Sequence, residues 1–593
     1  MCGIIGQINF KAAVNPAEFI AMRDTLAHRG PDDAGIFVSE NKAVALGHRR
    51  LSLLDLSEKG KQPLANENGE IHITVNGEIY NYMQLKTDLE NKGHTFSSNS
   101  DSEVIVHGYE EWGDEVLLKL KGMFAFALWD DRKKRMLLAR DRFGIKPLYY
   151  YHSDSTFLFA SEIKGIVACR DVPREMDVSC LCDFLVYRYV PSPKSIWKHI
   201  KKLPPGHCLT LDMTGKTTLR KYWELHTKNR VVSDKEAVDA TNVLIANSVK
   251  SHIMGDVPIG SFLSGGYDSS ALAYYLHKIN YPASTFSLGF DNWDQSEHLF
   301  AEMVAKEFGT NHTSKIIGTK SLDLLNRLAF YFDEPIADIS IVPTYEISAA
   351  AAQKVKAVLS GEGADEIFGG YTWHREFFRN DKNLSVMARI KSRFSTENSD
   401  LAVAQYANAM AMGKFDAAVL KDLLHDDLHP AIPADTNWFY KQHYEKAGSA
   451  LKTCQILDIN CFMGELVLTK IDRASMANSL EVRVPFLDHE LVEYVMGLHE
   501  KTYFKEVVKK FLLYENIKHA LPAAILNRPK QGFTGPDEYY QDMNWYKTAL
   551  LNGRLVADKI IKQKTLENCL SAKDHWRLWK VLVLEFWYSQ WSR

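Results

Sequence analysis

Cys2 stands directly behind Met1 and is followed by Gly3. Removing Met1 would leave a first residue carrying a thiol and a free α-amine on one carbon. Such an amine titrates near roughly 7.7–8.0, so it could act as general base for its own thiol. A thiolate attacking a carboxamide needs donors about 3 Å from the developing oxyanion. Asn76 and Gly77, in "VNGEIYN", offer a side-chain amide and an unencumbered backbone N–H. A free amino acid substrate would also need a cation for its carboxylate and an acid for its ammonium. Arg50 in "GHRRLSLLD" and Asp101 in "SNSDSEV" have that chemistry. A second group lies in "SGGYDSS", residues 264–270, where an apolar run meets a helical pattern. Glycines there let backbone N–H groups approach a phosphate, and a helix N-terminus adds its dipole. The loop is neither G-x-x-x-x-G-K-[ST] nor G-x-G-x-x-G. "LSGEGADEIFGGY" (359–371) ends another apolar run, and its Asp365 could join Asp268 as a magnesium ligand, since phosphate-bound Mg²⁺ takes one or two carboxylates. "DEPIADIS" adds Asp333 and Asp338, whose roles spacing leaves open.

These residues need elements to hold them. Over the first two hundred residues short β-like runs alternate with turns: "KAVALGH", "EIHITVNGEIYN", "GMFAFALWD", "RMLLARDRFG", "KPLYYY" and "TFLFAS". Helical stretches at 81–92 and 103–119 interrupt them, which reads as a predominantly β, α+β unit over 1–210 with a linker over 211–234. From 235 to 593 the texture changes. "PIGSFLSGG", "STFSLGF" and "AVLSG" read as buried strands separated by helices. One helix has Leu272, Tyr275, Leu276 and Ile279 on a face; the next has Phe300, Met303, Val304 and Phe308, with Gly309 as cap. Strand–helix repetition of this kind predicts a parallel α/β sheet whose carboxyl edge presents both loops on one side. Residues from about 375 onward read as mostly helical.

Composition narrows the function classes. The 593 residues are 46% apolar and 24% charged with a net charge of −3, which supports neither a nucleic-acid nor an anionic-membrane partner. The longest apolar run, "MFAFALW", has seven residues, far short of the roughly 18 that span a bilayer. Eight cysteines, at 2, 169, 180, 182, 208, 454, 461 and 569, form no C-x-x-C pair, which together with the lack of a secretory signal predicts a reduced, cytoplasmic setting.

SGG-x-DSS resembles the pyrophosphate loop of ATP-pyrophosphatases. With Met-Cys-Gly, "HRGPD", "RLS", "NGEIYN", "SDSE", "RDRFGIKPLYY" and "LSGEGADE", the chain resembles the glutamine-hydrolysing asparagine synthetases over nearly its full length, through "KIDRASMANSLEVRVPFLDHELVEY" and "LNRPKQGF". Its closing segments are most similar to the longer bacterial members. The resemblance implies an N-terminal-nucleophile αββα glutaminase sandwich. After it would come an α/β parallel-sheet ATP-pyrophosphatase synthetase domain with a helical C-terminal part.

It also implies roles. Cys2 would be the nucleophile, Asn76 and Gly77 the oxyanion hole, Arg50 the holder of the glutamine carboxylate, and Glu78 and Asp101 partners of its ammonium. Leu263 and Leu288 would meet adenine through backbone groups, Ser264, Gly265, Gly266, Asp268, Ser269 and Ser270 would cradle pyrophosphate, and Ser360 and Gly361 would lie against the nucleotide. Asp268 and Asp365 would hold Mg²⁺, Glu362 would serve the acyl-adenylate, and Lys530 would stabilise negative charge. Glutamine, ATP and aspartate are the implied small-molecule substrates, and a homodimer is among the arrangements the resemblance allows. Another carboxylate acceptor stays open, such as an envelope sugar acid, a cell-wall diamino acid or a natural-product precursor. Tyr267 stands where the best-known asparagine-making members carry leucine. A β-lactam-forming synthetase fits poorly with Cys2, Asn76 and Asp101 intact, and a silent glutamine- or nucleotide-binding regulator fits poorly with both Cys2 and Asp268 present.

Overall fold

The computed structural model describes residues 2–291, 293, 296–383, 397–445, 447–528 and 532–592. In the first half the alternating runs become β1 (Gly3–Asn9), β2 (Asp33–Val38), β3 (Val44–Arg50), β4 (Leu64–Ala65), β5 (Ile71–Ile79), β6 (Gly122–Asp130), β7 (Arg135–Arg140), β8 (Tyr149–His152), β9 (Thr156–Ala160), β10 (Ile200–Lys202), β11 (His207–Asp212) and β12 (Thr217–Lys221). They form two six-stranded sheets, ordered β10-β8-β9-β1-β3-β2 and β12-β11-β7-β6-β5-β4, with every pairing antiparallel.

Period-two burial fixes the layering. Ile4, Ile8 and Leu46 on one sheet meet Ala125, Ala127 and Leu138 on the other. The opposite residues face outward onto helices: Ile5 and Ala45 with Phe19 and Met22, and Val75 and Phe126 with Leu85 and Val104. The order helix–sheet–sheet–helix therefore matches the αββα expectation. The expected linker over 211–234 begins inside β11 and contains β12, which pairs with β11 and extends the second sheet to Lys221.

The second half is built on β13 (Ile259–Phe262), β14 (Ser284–Phe290), β15 (Asn311–Ile317), β16 (Ala357–Leu359) and β17 (Glu481–Arg483), all parallel, in the order β15-β14-β13-β16-β17. Both expected helices follow: Tyr267–Lys278 buries Leu272, Tyr275 and Leu276, and His298–Phe308 ends on left-handed Gly309 at φ 64°. β13 and β16 are neighbours, so the two glycine-bearing loops after them emerge side by side. Helices dominate from residue 372 onward, β17 being an exception. No helix among the described residues is long and apolar enough to cross a membrane.

The two halves pack against each other through more than one apolar cluster, Trp197 meeting Trp587 in one of them. Leu51, Met123, Phe143 and Ile145 pack into the same apolar cluster as Met463, Leu468 and Ile471.

Candidate functional site

Cys2 lies at the mouth of β1, buried between the two halves. The Asn76 Oδ1 accepts the Cys2 backbone N–H at 3.0 Å, and Arg29 Nε donates to the Cys2 carbonyl at 3.0 Å. That orientation leaves the buried Asn76 Nδ2 without a partner, a donor on a side chain that contacts Cys2 and that the fold itself does not use. The neighbouring Gly77 cannot carry a side chain: a Cβ there would sit 2.0 Å from the Met123 carbonyl. Burial pushes the Cys2 thiol above its ordinary value, so attack at neutral pH needs a base to take its proton.

Arg50 ends β3, and its guanidinium donates to the carbonyls of Leu54, Asp55 and Ser57 in the loop that follows. Among the described residues no carboxylate pairs with it, which leaves a buried positive charge for an incoming anion. Asp55 accepts the Asn99 N–H at 2.8 Å and so ties this loop to the turn bearing Asp101. Asp101 accepts the Ile79 N–H at 2.6 Å, and burial pushes it up to about 6. Glu78, expected on the substrate ammonium, has one oxygen 3.3 Å from Arg483 Nη2 and the other, Oε2, unpartnered. Burial and then the nearby Glu481 hold Glu78 well above the carboxylate range.

The second site is a cavity of about 460 Å³ at the carboxyl edge of the parallel sheet. Leu263, Ser264, Gly265, Gly266, Asp268, Ser269, Leu288, Ser360, Gly361, Glu362 and Asp365 line it. Ser270 does not; it is fully buried behind the loop. Lys530 lies outside the described residues. Gly265 has φ 73°, and a Cβ there would come 2.6 Å from Phe300, so the loop closes tightly onto the next helix. Gly361 packs so near Asp268 that a Cβ would approach the Asp268 Cβ to 2.8 Å.

Asp268 and Asp365 do converge, with a cation already between them. Lys510 Nζ lies 2.6 Å from Asp268 Oδ1 and 2.7 Å from Asp365 Oδ1. Burial opposes its charge, but the two carboxylates outweigh it and raise its pKa. On another wall stand Asp338, Ser340, Lys470 and Arg188. Lys470 Nζ donates to Ser340 Oγ at 3.0 Å. Asp338 accepts the Ser340 N–H at 2.8 Å and, against burial, is held below the usual carboxylate range by Lys470. Asp333, its companion in the sequence, sits elsewhere, at 2.7 Å from Lys164.

The family models match in the same two blocks: "Glutamine amidotransferase domain" over residues 1–223 and "Asparagine synthase" over 240–589. Asparagine synthetase [glutamine-hydrolyzing] 1 of Bacillus subtilis is 34% identical, the match covering 99% of this chain and 96% of that one. Asparagine synthetase [glutamine-hydrolyzing] 3 of the same organism is 32% identical, over 97% and 94%. The chain belongs to the glutamine-hydrolysing asparagine synthetase family.

In this family member three features escape sequence reasoning. Lys510 is one; it contacts Asp268 across 242 positions and carries no local motif. The second is Arg483 on β17. It pairs with Glu481 at 2.6 Å and Glu78 at 3.3 Å, donates to the His252 and Met254 carbonyls, and accepts the Ser360 N–H at 2.8 Å on its own carbonyl. One residue thus touches both the cleft of Cys2 and the loop of Ser360. The third is a buried ionic hub. Glu162 receives Arg29 and Arg473, each at 2.7 Å, together with Lys164, and Arg29 forks onto Asp472 at 2.8 and 3.1 Å. It joins "HRGPD" of the first half to "KIDRAS" of the second. The signal for it was present only as charges inside segments with apolar flanks.

Glu162 is fully buried, and its cations hold it well below the ordinary carboxylate range despite burial. Glu162→Gln should lower stability by about 3–5 kcal/mol, because Arg473, Arg29 and Lys164 lose a buried counter-charge that they share, even though Arg29 keeps Asp472 and Lys164 keeps Asp333. A group with depressed folded pKa stabilises above its unfolded value, roughly 4.3, and that contribution is lost as pH falls further. The gap in urea midpoint between parent and variant should therefore stay constant from pH 6 to 8 and shrink in acid below about 4.

Proposed function

We propose that the chain moves the amide nitrogen of glutamine onto a carboxylate activated as its AMP ester, with L-aspartate as acceptor and L-asparagine, glutamate, AMP and pyrophosphate as products. The observation that carries this reading is the single cavity that joins a glycine-rich helix N-terminus to two converging carboxylates and, opposite, a charged wall suited to an amino acid.

In the first half, loss of Met1 frees the Cys2 amine. It takes the thiol proton, and sulfur attacks the glutamine carboxamide, whose carboxylate rests on Arg50 and whose ammonium rests on Asp101, with Glu78 beside it. Negative charge on the tetrahedral oxygen falls to the unused Asn76 Nδ2 and the Gly77 N–H. Collapse expels ammonia and leaves a thioester for water to hydrolyse. Met123, Ile145, Met463 and Ile471 pack in one buried apolar cluster between the halves, and neutral ammonia would cross there out of contact with bulk water.

In the second half, backbone groups of Leu263 and Leu288 meet adenine, and the 264–269 loop cradles the phosphates. Lys510 offsets charge on the departing pyrophosphate. Asp268 and Asp365 already share one cation, so their donor set fits Mg²⁺, which would add charge neutralisation on phosphate oxygens. Asp338 suits the ammonium of an acceptor, and Lys470 with Arg188 suits its carboxylate. Glu362, whose buried Oε2 lacks a partner, faces the same space and can accept a proton from the attacking nitrogen.

Protein given glutamine, ATP and Mg²⁺ should release pyrophosphate only when L-aspartate is added. Brisk glutamine hydrolysis with no aspartate-dependent pyrophosphate would move the acceptor to another carboxylate.

A further inference from the structure

Around the helices that cover the second sheet of the first half, two histidines and two glutamates converge. Helix Glu103–Trp112 supplies His107 and Glu110, the turn after helix Tyr82–Glu90 supplies His94, and the β4–β5 hairpin supplies Glu67. His107 Nδ1 lies 3.3 Å from Glu110 Oε2 and 3.8 Å from Glu67 Oε2, and His94 Nδ1 lies 3.9 Å from Glu110 Oε2. Ligand atoms of Glu67, His94 and His107 all fall within 4.8 Å of one another. Around a tetrahedral ion with bonds near 2.0–2.1 Å, neighbouring donors sit about 3.4 Å apart. Glu110 Oε2 stands within about 0.5 Å of that spacing from both imidazoles, whereas the trio of Glu67, His94 and His107 spans up to 4.8 Å, so binding an ion would draw Glu67 inward.

Its supports argue for more than a chance meeting of charges. Each glutamate has its other oxygen tethered: Glu110 Oε1 accepts from Asn66 Nδ2 at 2.8 Å, and Glu67 Oε1 accepts the Thr95 N–H at 3.0 Å. Each histidine turns Nδ1 inward and Nε2 toward an outer carboxylate, Glu103 for His107 at 3.6 Å and Glu111 for His94 at 3.7 Å. Those acids are anchored in turn, Glu103 by the Ser97 and Ser98 N–H groups and Glu111 by Lys92 at 2.6 Å. Neither histidine–carboxylate contact is a hydrogen bond at its distance, and His107 Nε2 is without one, but each carboxylate stands where it would fix the tautomer of its imidazole once the ring closes on an ion. His107 is 1% exposed, whereas Glu67 is 47% exposed, so solvent reaches the centre from one side. The other buried trio, His374, Cys454 and Asp458, lacks this openness, and its aspartate is already taken by Tyr406, Trp373 and His374.

We propose that Glu67, His94, His107 and Glu110 form a binding site for one divalent transition-metal ion of the Zn²⁺ class. Two imidazoles and two carboxylates favour Zn²⁺ over Mg²⁺ or Ca²⁺, and four protein donors make the site structural rather than catalytic. The ion would pin the hairpin and the 91–97 turn to the helix that begins two residues after Asp101.

The test is equilibrium dialysis of the full chain against Zn²⁺, with Co²⁺ as spectroscopic probe, in a Cys2→Ser background so that the reactive thiol contributes nothing. One equivalent should bind, Co²⁺ should give visible bands of tetrahedral intensity, and Zn²⁺ should raise the melting temperature. His94→Ala and Glu67→Gln, both at partly exposed positions, should each weaken binding by at least about 10-fold and abolish the melting shift. His107→Gln tests the buried ligand, and circular dichroism reports whether that variant folds. The proposal fails if no saturable Zn²⁺ binding occurs below about 10 μM, a range in which structural zinc sites are filled, or if the bound equivalent survives both His94→Ala and Glu67→Gln.

Discussion

Cys2→Ala should abolish glutamine-dependent synthesis, a loss of about 10⁴-fold or more, while synthesis from ammonium salts stays within about twofold of the parent. The nucleophile has no substitute: alanine retains the hydrogen bond to Asn76 Oδ1 but offers no electron pair to the carboxamide. The second half should be unaffected, because the cavity takes none of its lining from Cys2. Coupled assays with glutamine or ammonium chloride as nitrogen source check both arms. Equal loss in the two would place Cys2 in the scaffold rather than in the chemistry.

Lys510→Met should lower synthesis by about 10²–10³-fold with either nitrogen source and leave glutaminase activity in place. Two effects add. The charge offered to pyrophosphate disappears, and Asp268 and Asp365 are left facing each other without the cation that joins them. Like charges so placed raise each other's pKa, so the variant should demand more Mg²⁺ and recover in part at high Mg²⁺. Lys510→Arg retains the charge in a wider fork and should be intermediate. Glutaminase and pyrophosphate assays across a Mg²⁺ series separate these outcomes. Undiminished synthesis by Lys510→Met would remove Lys510 from the reaction.

What the sequence discloses is what local stereochemistry demands. Gly77, Gly265 and Gly361 stand where backbone or a neighbouring side chain leaves no room for a Cβ, and such positions write themselves into motifs. The long strands of the sandwich declare themselves by alternation, as "EIHITVNGEIYN" becomes β5. β15 does not, because "NHTSKII" is an edge strand and only Ile317 in it is buried. β17 is three residues, two of them charged, and exists as a strand only through its pairing with β16. Charged residues that work at a distance are equally silent. Lys510 sits in "EVVKKF" with φ 49°, a backbone state uncommon for lysine, and its side chain reaches Asp268 and Asp365. The family resemblance pointed to Lys530, a lysine with a motif around it, which lies outside the described residues. Glu162 meets Arg29 across 133 positions and Arg29 meets Asp472 across 443, and no periodicity spans such gaps.

The account rests on activation of the acceptor as an AMP ester in the cavity beside Asp268, and oxygen tracing tests it most directly. With L-aspartate carrying ¹⁸O in its side-chain carboxylate, together with glutamine, ATP and Mg²⁺, one labelled oxygen should leave on the phosphate of AMP, and the pyrophosphate should stay unlabelled. Label in inorganic phosphate with ADP as co-product, or AMP without label, would contradict it.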